Sequence, residues 1–317
     1  MFMLGQSWAA EVVRFMDFFG PGNMLVRVAI NKGYCAKQGL DCQLKMIASG
    51  PLGVQAMMAG TIDAAPVPVD VIIGAIKNGT PMKMVAGSMI SNLLVLVERR
   101  DGDAPADWKQ SVRALKGKKI GVIARGSSSE TGMRFLMKSA GLNPDDATYI
   151  GTGGVVTAYN ALTSNQVDAA MSIEPVASIC IVSKTCRVLW RGSVDKEPAD
   201  LYSLNGASNG LVFMQSTIDK KPEMIAAVIR AVSEADKFIN DPKNFDEVVK
   251  IAESYYKFDL PNGHEVMQTN IRQFVQDRTY SAAIDRAAIK GALAYLKASN
   301  IDTGTVGVND LVYSKAP

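Results

Sequence analysis

Short apolar runs and amphipathic stretches alternate along most of this chain, and each pair is punctuated by glycine, serine, proline or asparagine. That rhythm predicts α/β architecture. The N-terminal part reads as a strand near Val12–Phe19, a helix from about Asn23 to Lys37 and a strand over Cys42–Ile47. A second cycle follows: a helix over Leu52–Ala59, an extended stretch at Asp63–Val67, a helix over Val69–Lys77 and a strand at Met82–Val85. Such βαβ repetition is the signature of a mostly parallel sheet flanked by helices.

The scheme then recurs. LKGKKIGVIARGSSSETGMRFLMKSAGL, Leu115–Leu142, passes from a basic approach through the apolar Ile120–Ala124 to a serine-rich turn and an amphipathic helix. ATYIGTGGVVTAYNALTSNQVDAAMSIEPVASI and RVLWRG complete this second set. AGTIDAAPV in the first set is echoed by SNQVDAAMS in the second, which predicts two lobes of like topology facing each other. The polar segment near Val97–Ala106 is read as the crossing between lobes and Tyr202–Leu211 as the return. Lobe 1 is therefore expected to comprise residues 1–100 and 206–317, and lobe 2 residues 101–205. In the helical C-terminal third, Pro222 starts a helix whose Ile225, Val228, Ile229, Val232, Ala235 and Ile239 form one core-facing stripe.

A length of 317 residues with 48% hydrophobic content is ample for two cores. The net charge of +3 is spread without a basic run, which argues against a nucleic-acid partner. No apolar run reaches the roughly 18 residues that a membrane span needs. The opening MFMLGQSWAA lacks the basic region of a complete signal peptide, so a leader is expected to be absent or truncated here.

Chemistry is sparse. The single histidine, His264, lies in the polar PNGHEVMQTN, and no nucleophile-elbow pattern accompanies the serines, so serine hydrolysis is unsupported. The four cysteines form two close pairs, Cys35 with Cys42 and Cys180 with Cys186, without ligand-spaced histidines or carboxylates. No metal site and no cofactor are expected. Each pair is either a small-loop disulfide, worth roughly 2–3 kcal/mol by loop entropy and suited to an oxidising compartment, or two free thiols. Gly151, Gly153 and Gly154 fail the dinucleotide fingerprint because Val156 occupies its last position, and GSSSETG lacks the lysine of a P-loop.

What remains is binding of anions at helix starts. Unpaired backbone N–H groups and the helix dipole favour an anion there by roughly 0.3–1 kcal/mol when exposed. Ser127, Ser128 and Ser129 open one helix, Gly153 and Gly154 another, and Ser49, Gly50, Pro51 and Leu52 a third. Their alternative role is simple capping. Arg125 is the candidate countercharge or a solvated arginine; Glu174, just before Pro175, either caps the next helix or faces the ligand.

These residues carry a resemblance. LKGKKIGV followed by Arg125 and GSSSE, the MAGTIDAAPV step, SIEP, the NGLVFMQSTIDKKPEMIAAVIRAVSEADKFINDP run and IDTGTVGVNDLV resemble, in order, the type II periplasmic solute-binding proteins of ABC importers. The group is the one for nitrate, taurine, aliphatic sulfonates and thiamine-pyrimidine precursors. The resemblance implies two lobes joined by two crossing strands, a small organic anion (carboxylate or sulfonate) held between them, hinge closure, a membrane ABC permease as partner, a periplasmic location and a monomer. It places Ser49, Gly50, Pro51, Ser127, Ser128, Ser129, Gly153 and Glu174 at the cleft. This chain departs from the group's polar turn after the third strand, having Pro66, Val67, Pro68 and Val69 with Asp70 one step on. That apolar wall favours a ligand with a carbon body. A pyrimidine-precursor synthase of the same superfamily and a sensory binding protein are the alternatives; the first uses a histidine donor and a cysteine-rich motif, which this chain lacks.

Overall fold

A computed structural model describes residues 10–18, 20–47, 49–99 and 107–317. Phe19, the opening residues 1–9 and most of the segment expected to cross between lobes, 100–106, lie outside the described residues.

The first sheet is built from β1 (Glu11–Asp17), β2 (Leu40–Met46), β3 (Ala64–Pro68) and β4 (Met82–Gly87). Between them run α1 (Met24–Asn31), α2 (Tyr34–Lys37), α3 (Gly50–Met58) and α4 (Val69–Lys77). The helix expected over Asn23–Lys37 is broken at Gly33, whose φ of +69° suits glycine and ends the first segment. The second set comprises β5 (Leu94–Glu98), α5 (Trp108–Arg113), β6 (Lys119–Val122), α6 (Ser128–Ser139), β7 (Thr148–Gly151) and α7 (Val155–Thr163). It continues with β8 (Ala169–Ile173), α8 (Val176–Ser183), β9 (Arg187–Arg191) and α9 (Ala199–Tyr202). The chain then returns through β10 (Asn209–Met214), α10 (Gln215–Lys220), α11 (Pro222–Ile239), α12 (Phe245–Tyr255), α13 (Gly263–Gln276), α14 (Arg286–Ala298) and α15 (Val308–Leu311).

The strand orders are β2-β1-β3-β10-β4 and β7-β6-β8-β5-β9, so the two sheets share one topology. In each, the fourth position is filled by a strand arriving from a crossing segment, and it runs antiparallel to both neighbours. Each sheet is therefore mostly parallel, four strands running one way, and mixed only through its one crossing strand. The same exchange places β5 in the second sheet, opposite β8, so Leu94–Glu98 belongs with the second set and not with residues 1–93. An incoming crossing strand enters against the βαβ direction, which is why its neighbours pair with it antiparallel.

The echoed aspartates explain part of this symmetry. Asp63 accepts a hydrogen bond from the Arg14 N–H at 2.8 Å, while its own N–H donates to the Arg14 carbonyl at 2.8 Å. Asp168 does the same with Lys119, again at 2.8 Å in both directions. Both aspartates thus fasten the central strand of a sheet, β3 or β8, to its parallel neighbour, β1 or β6. α11 packs its apolar face on the first sheet's outer core, with Ile225, Val228, Val232, Ala235 and Ile239 buried and Ile229 only partly so. Disulfides join Cys35 to Cys42 and Cys180 to Cys186.

Candidate ligand cleft

The crossing segments lie side by side between the sheets. The Gly206 and Ser208 N–H groups donate to the Ile90 carbonyl at 2.8 and 3.1 Å, and the Asn92 N–H donates to Asn205 Oδ1 at 2.9 Å. Asn205 Nδ2 in turn donates to the Gly192 carbonyl at 2.7 Å. Above this floor opens a cavity of about 350 Å³, at the carboxyl ends of β1, β3, β6 and β8. Open α/β sheets put ligands there, because loops and helix N-termini converge at strand ends.

One wall comes from the first sheet: Met16 near the end of β1 and Phe18 just after it, Ser49 and Gly50 at the start of α3, and Pro66, Pro68, Val69 and Asp70 around the start of α4. The opposite wall carries Ile123, Gly126, Ser128, Thr131 and Ile173. Met89, Asn92, Leu93, Leu204, Ser208 and Asn209 form the floor, and Ala292, Tyr295 and Leu296 of α14 close one side with Ile301. The lining is mostly apolar. Among the described residues it contains no lysine, arginine or histidine, and Asp70 is its one charged side chain. A wider, shallower groove at Asp236, Asn240 and Arg278 opens on α11 away from these helix starts.

Phe18 is positioned by a buried ion pair. Arg27, fully buried, meets Asp17 at 2.9 Å and donates to the Phe18 and Gly20 carbonyls at 2.8 and 2.6 Å. Those bonds hold the β1–α1 loop against the cavity.

The serine turn divides its hydroxyls between structure and cleft. Gly126, at φ +77°, reverses the chain after β6. Ser129 Oγ accepts the Ile123 N–H at 2.9 Å and lies 2.7 Å from Ser127 Oγ, which itself accepts the Ala124 N–H at 3.4 Å. Ser127 and Ser129 are thereby spent on the turn. Ser128 lines the cavity, and neither it nor Ser49 has a side-chain hydrogen bond among the described residues.

Arg125 does not reach the cavity. Its guanidinium donates to Glu130 at 2.9 Å and to the Tyr149 carbonyl at 3.1 Å, with 60% of the side chain exposed. Burial would raise the Glu130 pKa, but the Gly126 N–H, Arg134 and Arg125 outweigh it and hold the carboxyl below its usual range. Glu174 is also absent from the lining. It is buried beside the crossing segments, 2.6 Å from Arg191 Nε, and that arginine lies 2.8 Å from Asp277 just after α13. Burial raises the Glu174 pKa despite the arginine beside it. Gly153 and Gly154 head α7 on an exposed stretch outside the lining, and Pro51 and Leu52 sit on the outer side of α3 with Leu52 exposed. Of the expected positions, the structure brings together Ser49, Gly50, Pro68, Asp70 and Ser128. Helix starts at α3, α4 and α6 converge on the cavity; that of α7 does not.

Sequence reasoning missed the floor and the α14 side. Asn92 lies in the turn before β5, Asn209 opens β10 within the expected return crossing but carried no signal of facing a ligand, and Tyr295 and Leu296 belong to an apolar stripe indistinguishable from core. His264 forms a 2.7 Å contact with Glu253 at the exposed start of α13, outside the cavity. Among the described residues, no group of three or more histidine, cysteine, aspartate or glutamate side chains is arranged to hold a metal ion, and no helix is long and apolar enough to cross a membrane.

Two like sheets exchanging strands around an interlobe cavity define the periplasmic-binding-protein fold. The chain belongs to the NMT1-like family, whose model matches residues 23–253. A Brucella abortus (strain 2308) protein named "Putative binding protein" is 26% identical over 242 residues, 76% of this chain and 70% of that protein. The periplasmic aliphatic sulphonate binding protein SsuA from Escherichia coli superposes with a TM-score of 0.73 at 18% identity, covering 96% of this chain and 92% of that one. The alkanesulfonate-binding protein SsuA from Xanthomonas axonopodis pv. citri, bound to MOPS, gives 0.71 at 16% identity, covering 97% and 99%.

Proposed function

We propose that this protein is the extracytoplasmic ligand-binding component of an ABC importer. It captures a small organic acid, a carboxylate or sulfonate with a carbon body, and presents it by hinge closure to a membrane permease, with no chemical step of its own. Lobe 1 is residues 1–93 with 206–317, lobe 2 is the intervening chain, and the protein works as a monomer in the periplasm. The observation that carries this reading is the pair of helix starts facing one cavity, α3 with Ser49 and α6 with Ser128, each offering a hydroxyl and backbone N–H groups free of side-chain capping. The surrounding apolar wall suits a hydrocarbon body better than a bare inorganic ion. Both disulfides fit an oxidising compartment. The solved relatives named above for sulfonates lend the acid group chemical support.

A thermal-shift screen with aliphatic and aromatic carboxylates, sulfonates, nitrate and pyrimidines tests it. A ligand present at about 100 times its Kd stabilises the fold by roughly 2.7 kcal/mol. Acids with a carbon body are expected to raise Tm more than nitrate does. No shift from any acid, or iron-dependent turnover of a pyridoxal-type cofactor, would refute the reading.

A further inference from the structure

Two contacts tie the lobes together outside the cavity lining, and they differ in how they relate to the crossing segments. The first is polar. Gln273 of α13 accepts from Ser178 Oγ of α8 at 2.8 Å, and Asp277 just after α13 meets Arg191 and Ser193 of the second lobe at 2.8 Å each. The Asp277 carbonyl also accepts from Ser91 Oγ, at 3.4 Å, in the outgoing crossing segment. A contact fastened to the crossing itself turns with the hinge and is kept when the lobes rotate.

The second contact is apolar. The Phe135 ring of α6 meets the Tyr295 ring of α14 edge to face, with centroids 5.4 Å apart and planes at 64°. These rings belong to different lobes. α6 is rooted in the second sheet: Met133, Leu136 and Met137 are buried, and a Cβ at Gly132 would lie 2.7 Å from Leu94 Cδ1 of β5. α14 is rooted at the return crossing, where a Cβ at Gly206 would lie 2.7 Å from Ala288 and one at Gly291 would lie 3.0 Å from Ser203. Ala288, Gly291 and Tyr295 share one stripe of α14, so Tyr295 stands about 10 Å along the helix from its closest approach to the crossing. Rotation of the lobes about the crossing segments therefore parts the two rings and leaves the polar contact in place.

Tyr295 is 4% exposed and touches both the cavity and Phe135. Phe135 is partly buried and does not line the cavity. On α6 the spacing of Ser128, Thr131 and Phe135 puts all three on one face; the first two reach the cavity and the third reaches Tyr295.

We propose that Phe135 and Tyr295 form an interlobe clasp, in which Phe135 is a positioning residue that sets ligand affinity by holding the lobes closed without touching the ligand. The proposal rests on the reading of hinge closure given above. Both rings belong to the protein, so the clasp biases the lobes toward closure before a solute arrives. A solute whose carbon body packs on the cavity side of Tyr295 braces the same ring that Phe135 holds from the other lobe, which couples occupancy to closure.

Small-angle X-ray scattering of the ligand-free protein, and calorimetry with hexanoate and hexanesulfonate, test this on the wild type, Phe135→Ala and Phe135→Leu. Phe135→Ala is expected to have a larger ligand-free radius of gyration than the wild type, with Phe135→Leu in between. Its Kd is expected to rise by the same factor for both probes, about threefold to tenfold. Circular dichroism checks that each variant is folded, and Phe135→Leu carries the test if the alanine variant is not. An unchanged radius in a folded variant, an unchanged affinity for a probe that the wild type binds, or a loss confined to one probe would overturn the clasp. Failure of both probes to bind the wild type would count against the acid-binding reading, and the scattering comparison then decides the clasp by itself.

Discussion

Replacing Arg191 with methionine removes the cation from the buried Glu174–Arg191–Asp277 cluster beside the crossing segments. The Glu174 carboxylate is 1% exposed and Arg191 13%, and Asp277, 14% exposed, completes the cluster from the far side. Glu174 already has one oxygen without a partner. Without the arginine, two carboxylates face each other with only Ser193 donating to Asp277, at 2.8 Å. Breaking a buried pair in this way costs about 3–5 kcal/mol. At roughly 2.1 cal/mol/K per residue, a chain of 317 residues converts that loss into a Tm decrease of about 4–8 °C.

The pH dependence distinguishes an electrostatic origin from lost packing. Burial raises the folded-state pKa of Glu174, so the native state holds a proton that the unfolded chain releases. Stability from that proton is fully present below the unfolded value, about 4.3, and is lost as pH rises through the folded value. Arg191→Met pushes the folded value higher still. The deficit relative to wild type should therefore be small near pH 4.5 and grow with pH, by no more than about 1.4 kcal/mol per unit. Urea unfolding followed by circular dichroism from pH 4.5 to 8 measures it. The double variant Arg191→Met, Glu174→Gln should recover most of the loss and flatten the profile. A deficit constant across that range, or a double variant no more stable than the single one, would refute the reasoning.

Other consequences are simpler to read. Ser128→Ala and Ser49→Ala should each weaken the bound acid by about 0.5–1.5 kcal/mol in calorimetry without moving the unfolding midpoint, whereas Ser129→Ala should destabilise the fold because its hydroxyl accepts the Ile123 N–H. Full reduction of Cys35–Cys42 and Cys180–Cys186 should lower unfolding free energy by roughly 2–3 kcal/mol per bridge, and an unchanged midpoint under reductant would contradict this. Glu130 has a depressed folded pKa, so its contribution is present above its unfolded value and lost as pH falls through the folded one. Glu130→Gln should accordingly destabilise at pH 7 and match wild type near pH 2; a deficit that persists in acid would point to packing instead.

How legible this molecule is from its sequence depends on the distance over which each feature is specified. The βαβ rhythm and the repeated Asp-Ala-Ala step are local, and the step marks equivalent clamps because each aspartate accepts a backbone N–H of the parallel strand beside its own. The antiparallel β5 and β10 were not legible: their apolar runs match any buried strand, and their direction follows from crossing between lobes. The same division applies to the site. Ser127, Ser128 and Ser129 are equivalent as letters, yet the turn consumes the first and third, so only the middle one faces the cavity. Arg125 and Glu174 looked like ligand groups because they are charged residues near helix starts. Each proves to be neutralised by an opposite charge, Glu130 in one case and Arg191 in the other. Asp70 is the converse case: its neighbours Pro68 and Val69 marked an apolar wall, and the absence of any countercharge along that wall emerges only when α14 and both crossing segments are folded around it. Pairing inside the protein removes a charge from recognition, so Arg125 and Glu174, each held by an opposite charge, are structural groups at the edge of the cleft and not part of its lining.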